Sequence, residues 1–165
     1  MLQTINLLAD FMGLFTYPNE EQEVTKLEED PFLSEFSDDD WLKILKIVEP
    51  RHFSQRECLV NQGELDNAFY ILTEGEVDII TTKDGHHIET LATIPAGSVF
   101  GEISFFDGLP RSATIKAKSD GTVLKFSHHT FETLAAWEPV ISRKILFELG
   151  RIIAARLRWT TSLKT

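Results

Sequence analysis

Hydrophobic residues along this chain follow a helical period at both ends and a strand period in the middle. At the start, Ile5, Leu8, Phe11, Met12 and Phe15 are spaced by three and four, one face of a short amphipathic helix over residues 3–15 that must dock on something. A second stripe, Trp41, Ile44, Leu45 and Val48, follows the capping run Ser37-Asp38-Asp39-Asp40 and stops at Pro50. It predicts a compact helix just ahead of a β region. From residue 51 to 127 the pattern becomes short β-rich runs over 58–60, 68–72, 77–82, 87–94, 112–117 and 122–127. Gln62-Gly63, Glu74-Gly75, Asp84-Gly85, Pro95-Ala96-Gly97, Asp107-Gly108 and Asp120-Gly121 punctuate them as turns. Short strands at that spacing predict a mainly β fold, an antiparallel sandwich or barrel. Helical spacing then returns, with Phe131, Leu134 and Ala135 before Pro139, and Ile141, Ile145, Leu149, Ile152 and Leu157 in a longer last helix.

Residues 17–30 are polar and acidic and read as a tether. The expected partition is therefore an amphipathic helix and acidic tether over 1–34, one folded domain with flanking helices over 35–162, and a tail over 163–165. Charge is spread unevenly: residues 1–35 hold eight acids against Lys26 alone, and residues 143–164 hold six bases against Glu148. The tether is expected to be solvated, with docking on the basic last helix as the alternative. The apolar stripe of that helix is core packing, a dimer seam, or both.

At 165 residues the chain has room for one well-buried core and some extension. A formal net charge of −10 opposes a polyanion, so no DNA binding by this chain alone is expected. Cys58 is the single cysteine and fits a reducing, cytoplasmic setting; flanked by Leu59 and Val60, it reads as a buried apolar filler. No stretch approaches the ~20 apolar residues of a spanning helix, and the start lacks the pattern of a signal peptide, so no membrane contact is expected. His86-His87 and His128-His129 lack a third ligand at suitable spacing, and no metal is expected. No catalytic constellation emerges, and the chain is expected not to be an enzyme. The enzyme rival, a metal-dependent barrel, would need a His-x-His pattern that the sequence lacks.

Residues 100–114, Phe-Gly-Glu-Ile-Ser-Phe-Phe-Asp-Gly-Leu-Pro-Arg-Ser-Ala-Thr, interrupt the β pattern with a short helix-compatible stretch opened by Gly101. A glycine lets backbone approach a ligand closely, and the N–H groups of a helix start present partial positive charge to a phosphate. Arg111 adds a permanently charged clamp, and the Glu102 carboxylate can accept hydrogen bonds from a sugar hydroxyl.

This segment resembles the phosphate-binding cassette of the cyclic nucleotide-binding domains found in kinase regulatory subunits, gated channels and bacterial catabolite activator proteins. Their cassette reads roughly Phe-Gly-Glu-(Leu/Ile)-(Ala/Ser)-Leu, a short loop, then Arg-(Ala/Ser/Thr)-Ala-Thr. The likeness extends over about residues 35–162 and includes Asn61-Gln62-Gly63-Glu64, Phe69-Tyr70-Ile71-Leu72 and Glu74-Gly75-Glu76-Val77. Phe105 departs from the usual Leu.

The resemblance implies an antiparallel jelly-roll β-barrel (a double-stranded β-helix) with an N-terminal helical segment and C-terminal helices. It implies cAMP or cGMP as ligand, with no further cofactor. By the same resemblance Glu102 takes the ribose 2′-hydroxyl and Arg111 the exocyclic phosphate oxygens. Amides at Ser104 and at Ser112 or Ala113 complete the cradle, with Gly101 and Ile103 in its first turn. Ser112 leaves the base open, because its hydroxyl reaches either the phosphate or the amino group of a syn guanine. Thr160 and Thr161 are similar to the adjacent hydroxyl residues that contact adenine in activator proteins. Trp159 could stack on the base instead, or these residues could pack on the barrel or a partner. The implied role is regulatory: ligand moves the last helix as a lid and changes contacts with a second copy or a protein partner. The alternatives are the sensor half of a larger regulator, a transcription factor or signalling enzyme, and a degenerate domain used for protein interaction.

Overall fold

The computed structural model describes residues 32–162, without Asp84 and His86 and without the side chains of Lys83, His87 and residues 159–162. The predicted helix over 3–15 and the acidic tether lie outside the described residues. Helix α1 (Asp38–Leu45) starts where its capping run predicts. Ser37 Oγ accepts from the Asp40 amide and the Asp40 carboxylate accepts from the Ser37 amide, while three aspartates occupy the first turn, where the helix dipole favours negative charge. It ends five residues short of Pro50, which opens the first strand instead. Ile44 and Val48 are buried, but Leu45 is 43% exposed, so the stripe is narrower than its spacing predicts.

Eight strands follow: β1 (Pro50–Phe53), β2 (Cys58–Val60), β3 (Phe69–Glu74), β4 (Glu76–Lys83), β5 (His87–Pro95), β6 (Val99–Phe100), β7 (Thr114–Ala117) and β8 (Gly121–Phe126). Helix α2 (Glu102–Asp107) is inserted between β6 and β7, and α3 (His128–Trp137) and α4 (Pro139–Ser162) close the described chain. The sequence predicts six of these strands. It misses β1 and β6, which are four and two residues long and too short to show a period. All pairings are antiparallel, in two four-stranded sheets ordered β1-β8-β3-β6 and β2-β7-β4-β5. The fold is thus a jelly roll with flanking helices.

Two apolar clusters explain why β3 reads as an uninterrupted apolar run rather than an alternating one. Tyr70 and Leu72 point between the sheets with Phe53, Val77, Ile79, Phe100 and Ile115. Phe69 and Ile71 point outward under the helices, against Phe105, Phe126, Phe131, Leu134, Ile141, Ile145 and Leu149. A strand covered on both faces has no reason to alternate. Phe69 stacks on Phe126 with centroids 4.6 Å apart and meets Phe105 edge-on at 4.9 Å, which ties α2 to the outer face of the sheet. Phe32 and Leu33 also reach this cluster, the Phe32 amide donating to Gly97 O at 2.7 Å.

Cys58 corrects one expectation. It is exposed, because strand alternation turns Leu59 inward and Cys58 outward, where its Sγ donates to Asn61 Oδ1 at 2.9 Å. No described helix is long and apolar enough to cross a membrane.

Candidate functional site

The cleft forms where the strand ladder gives way to helix. β6 delivers Phe100 to Gly101, whose φ of +78° turns the chain into α2. A Cβ at this position would lie 2.7 Å from Arg111 Nη1 and 2.9 Å from Ala68 O, so both the backbone conformation and the close approach require glycine. Gly101 has no side chain with which to cap α2, and the first turn, Glu102 to Ser104, lines the cleft. Gly108, at φ +68°, ends the helix and lets the chain return through Arg111 to β7.

Gly101, Glu102, Ile103, Ser104, Arg111, Ser112 and Ala113 all border one cleft of about 440 Å³, part of it open to solvent. The cassette residues expected from the sequence are therefore brought together. Thr160 and Thr161 fall on the backbone of α4, but their side chains lie outside the described residues. Val60, Ile79 and Ile115 supply an apolar wall from the β2-β7-β4 face of the barrel.

Arg111 is 3% exposed and is held from two sides. Its Nη1 donates to Gly101 O at 3.0 Å and its Nη2 to Asp66 Oδ2 at 3.0 Å. Tyr70 accepts the guanidinium over its ring at 5.7 Å and donates its hydroxyl to the same Asp66 oxygen at 3.1 Å. Burial by itself would raise the Asp66 carboxyl, but the hydrogen bond and charge of Arg111, with Lys125 at 3.5 Å, outweigh it and hold Asp66 below the usual carboxylate range. Burial, and then the Asp66 charge, push the Tyr70 phenol up. Arg111 Nε is buried and has no partner. An orientated, permanently charged donor whose Nε–H has no partner suits an anion.

Glu102 is 2% exposed and takes its charge partner from far along the chain. Arg156, on α4, donates through Nη1 to Glu102 Oε1 and through Nη2 to Val99 O at 3.1 Å, so the last helix is latched to the first turn of α2. Sequence reasoning missed this residue. A signal was present: Arg156 continues the stripe of buried Ile145 and Leu149 and half-buried Ile152 at helical spacing, and a charge at a stripe position demands a partner. Asp66 was missed as well, and no local spacing could have disclosed it, because it meets Arg111 across 45 residues. With Arg111 and Arg156 against Glu102, the charged side chains on the cleft wall carry a net positive charge in an acidic protein.

Comparison with known proteins agrees with this geometry. The family model described as the cyclic nucleotide-binding domain matches residues 50–136, which run from β1 into α3. A cAMP-dependent protein kinase regulatory subunit of Mycosarcoma maydis is 32% identical over 87 residues, 53% of this chain and 16% of that protein. An uncharacterized NTE family protein of Mycobacterium tuberculosis is 27% identical over 129 residues, 78% of this chain and 21% of that protein. The chain thus spans about a fifth of the length of these curated relatives. Among solved structures, the catabolite activator protein of Thermus thermophilus superposes with a TM-score of 0.70 at 27% identity, covering 81% of this chain and 61% of its own. A cyclic nucleotide-binding domain from Methylobacillus flagellatus shares the fold with a TM-score of 0.69 at 23% identity, over 95% of this chain and 82% of its own. The cassette built on α2 and Arg111 sits inside the matched region, and the chain belongs to the cyclic nucleotide-binding domain family.

Proposed function

We propose that this chain is a non-catalytic regulatory module of the cytoplasm that binds cAMP or cGMP and signals through α4. The observation that carries the reading is Arg111: buried, aimed by Gly101 and Asp66, and left with an unpaired Nε at a cleft that also holds Glu102. In this reading the cyclic phosphate takes Arg111 and the first-turn amides of α2, and the ribose hydroxyl takes Glu102. Ser112 and Ala113 close the cradle.

The Arg156 latch supplies the switch. A ribose hydroxyl that donates to Glu102 competes with Arg156 for the same carboxylate, so ligand shifts the balance between latched and released α4 by its differential affinity for the two states. Val140, Phe147 and Leu157 expose apolar area along α4, the surface on which a second copy or a protein partner would read that shift. The alternative reading, the sensor part of a larger regulator, draws its support from curated relatives in which the matched segment is about a fifth of the protein.

Calorimetric titration with cAMP and cGMP tests the site. Wild-type protein is expected to bind at least one, and Arg111→Ala to lose roughly 2–5 kcal/mol, about 30- to 4,000-fold in affinity. Equal binding by the two proteins would sink the assignment. Absence of binding to either nucleotide in the wild type would favour a degenerate domain sealed by Arg156 and used for protein contact.

A further inference from the structure

The two faces of α4 differ. Ile141, Ile145 and Leu149 are buried in the cluster under the helices. On the far side of the helix Val140, Phe147 and Ala154, seven residues apart, share one line along the axis and are exposed, Val140 by 56% and Phe147 by 74%. Four residues on from each, Lys144, Arg151 and Arg158 form a parallel line that is exposed too. Trp137, three residues before Val140, is 76% exposed. An apolar line of this length on a charged helix marks a contact surface.

The described chain begins beside the basic line. Phe32 and Phe36 pack with the cluster that α4 covers, and Lys144 reaches back over the Phe36 ring at 5.4 Å and toward Asp40 Oδ2 at 3.9 Å. The apolar line lies just past that row. What precedes Phe32 has the complementary chemistry. Ile5, Leu8, Phe11, Met12 and Phe15 repeat at helical spacing, and residues 1–31 hold seven acids against Lys26 alone, all but Asp10 of them within 20–30. Helix α4 holds five bases against Glu148. Residues 16–31 span about 50 Å when extended, and α4 is about 36 Å long, so an apolar segment over 3–15 can reach any point on the line.

We infer that residues 3–15 of the same chain dock on the line of Val140, Phe147 and Ala154, with the acidic residues of the tether set along Lys144, Arg151 and Arg158. Burial of apolar side chains on both partners drives the contact, and the opposite charges fix the flank from which the segment arrives. Attachment through the tether makes the contact intramolecular, which favours it over any partner that must come from solution. A second copy or a protein partner therefore reaches this face of α4 only by displacing residues 3–15. The inference goes beyond the nucleotide reading and does not rest on it.

The full chain carrying Cys58→Ser and Phe147→Cys has a single thiol, placed on the line, and its rate of reaction with dithionitrobenzoate reads whether the line is covered. Without nucleotide, it is expected to react about tenfold or more slowly than the same chain with Phe11→Asp added, the ratio for a segment docked about nine-tenths of the time or more. Leu8→Asp is expected to release the thiol in the same way. The control places the thiol on β5 instead, by Cys58→Ser with Ile88→Cys at a position 70% exposed, and its rate is expected to be the same with and without Phe11→Asp. Equal rates at the Phe147→Cys thiol with and without both aspartate substitutions overturn the inference. So does a release matched at the Ile88→Cys control, which reports a general loss of structure. Protection that grows with protein concentration, with dimers in sedimentation, assigns the line to a second copy and overturns it as well.

Discussion

Removing Arg156 isolates the latch between α4 and the cassette. Its guanidinium donates to Glu102 Oε1 and to Val99 O, and the two charged side chains are 18% and 2% exposed. Breaking a buried ion pair from one side costs about 3–5 kcal/mol, because the remaining charge keeps its desolvation penalty. Water already reaches Arg156, which places Arg156→Ala near the low end, about 3 kcal/mol. With a urea dependence of about 2 kcal/mol/M, the unfolding midpoint falls by about 1.5 M. Glu102→Gln is a milder change. It leaves a neutral amide in the buried position and an arginine able to turn toward solvent, for a cost of about 1 kcal/mol. In the double variant the two costs do not add, and the cycle returns a coupling of about 1–3 kcal/mol. Urea unfolding of the four proteins measures it. The reasoning is refuted if Arg156→Ala lies within about 0.5 kcal/mol of wild type, or if its cost is the same with Glu102→Gln present.

Two further variants probe how Arg111 is held. Gly101→Ala forces φ +78° on a residue with a Cβ, at about 1–2 kcal/mol, and drives that atom against Arg111 Nη1 and Ala68 O, at about 1–3 kcal/mol more. Thermal melting is expected to fall by roughly 5–15 °C, and a shift under about 2 °C would remove the case for glycine at that turn. Asp66→Asn tests the carboxylate that aims Arg111. Because the folded carboxyl sits below its unfolded value near 3.9, its contribution is present above about pH 4 and is lost as pH falls through the lower, folded value. The variant is expected to be less stable than wild type at pH 7 and to show a flatter decline between pH 4 and pH 2. Parallel stability profiles for the two proteins would contradict that.

The elements written into the sequence are those whose cause is local. Ser37 and Asp40 cap α1 wherever that helix sits, and the turn glycines separate strands that the hydrophobic runs already mark. Gly101, Glu102 and Arg111 were legible for a related reason: a tight turn into a short helix, with a charge of each sign at fixed spacing, is a pattern within fifteen residues, and the structure puts those residues on one cleft. What the chain could not disclose is long-range. Cys58 faces outward only because β2 aligns on β7 in a particular register, and a one-residue slip would have buried it. Asp66 becomes the anchor of Arg111 and Arg156 the partner of Glu102 through contacts that span tens of residues, set by sheet order and by where α4 packs. The sequence by itself thus determined which segment turns through a glycine into a short helix and brings Glu102 and Arg111 to one cleft. Only the tertiary structure decided which charges brace and close it, since a buried charge acquires its partner from the packing of distant elements and not from its neighbours in the chain.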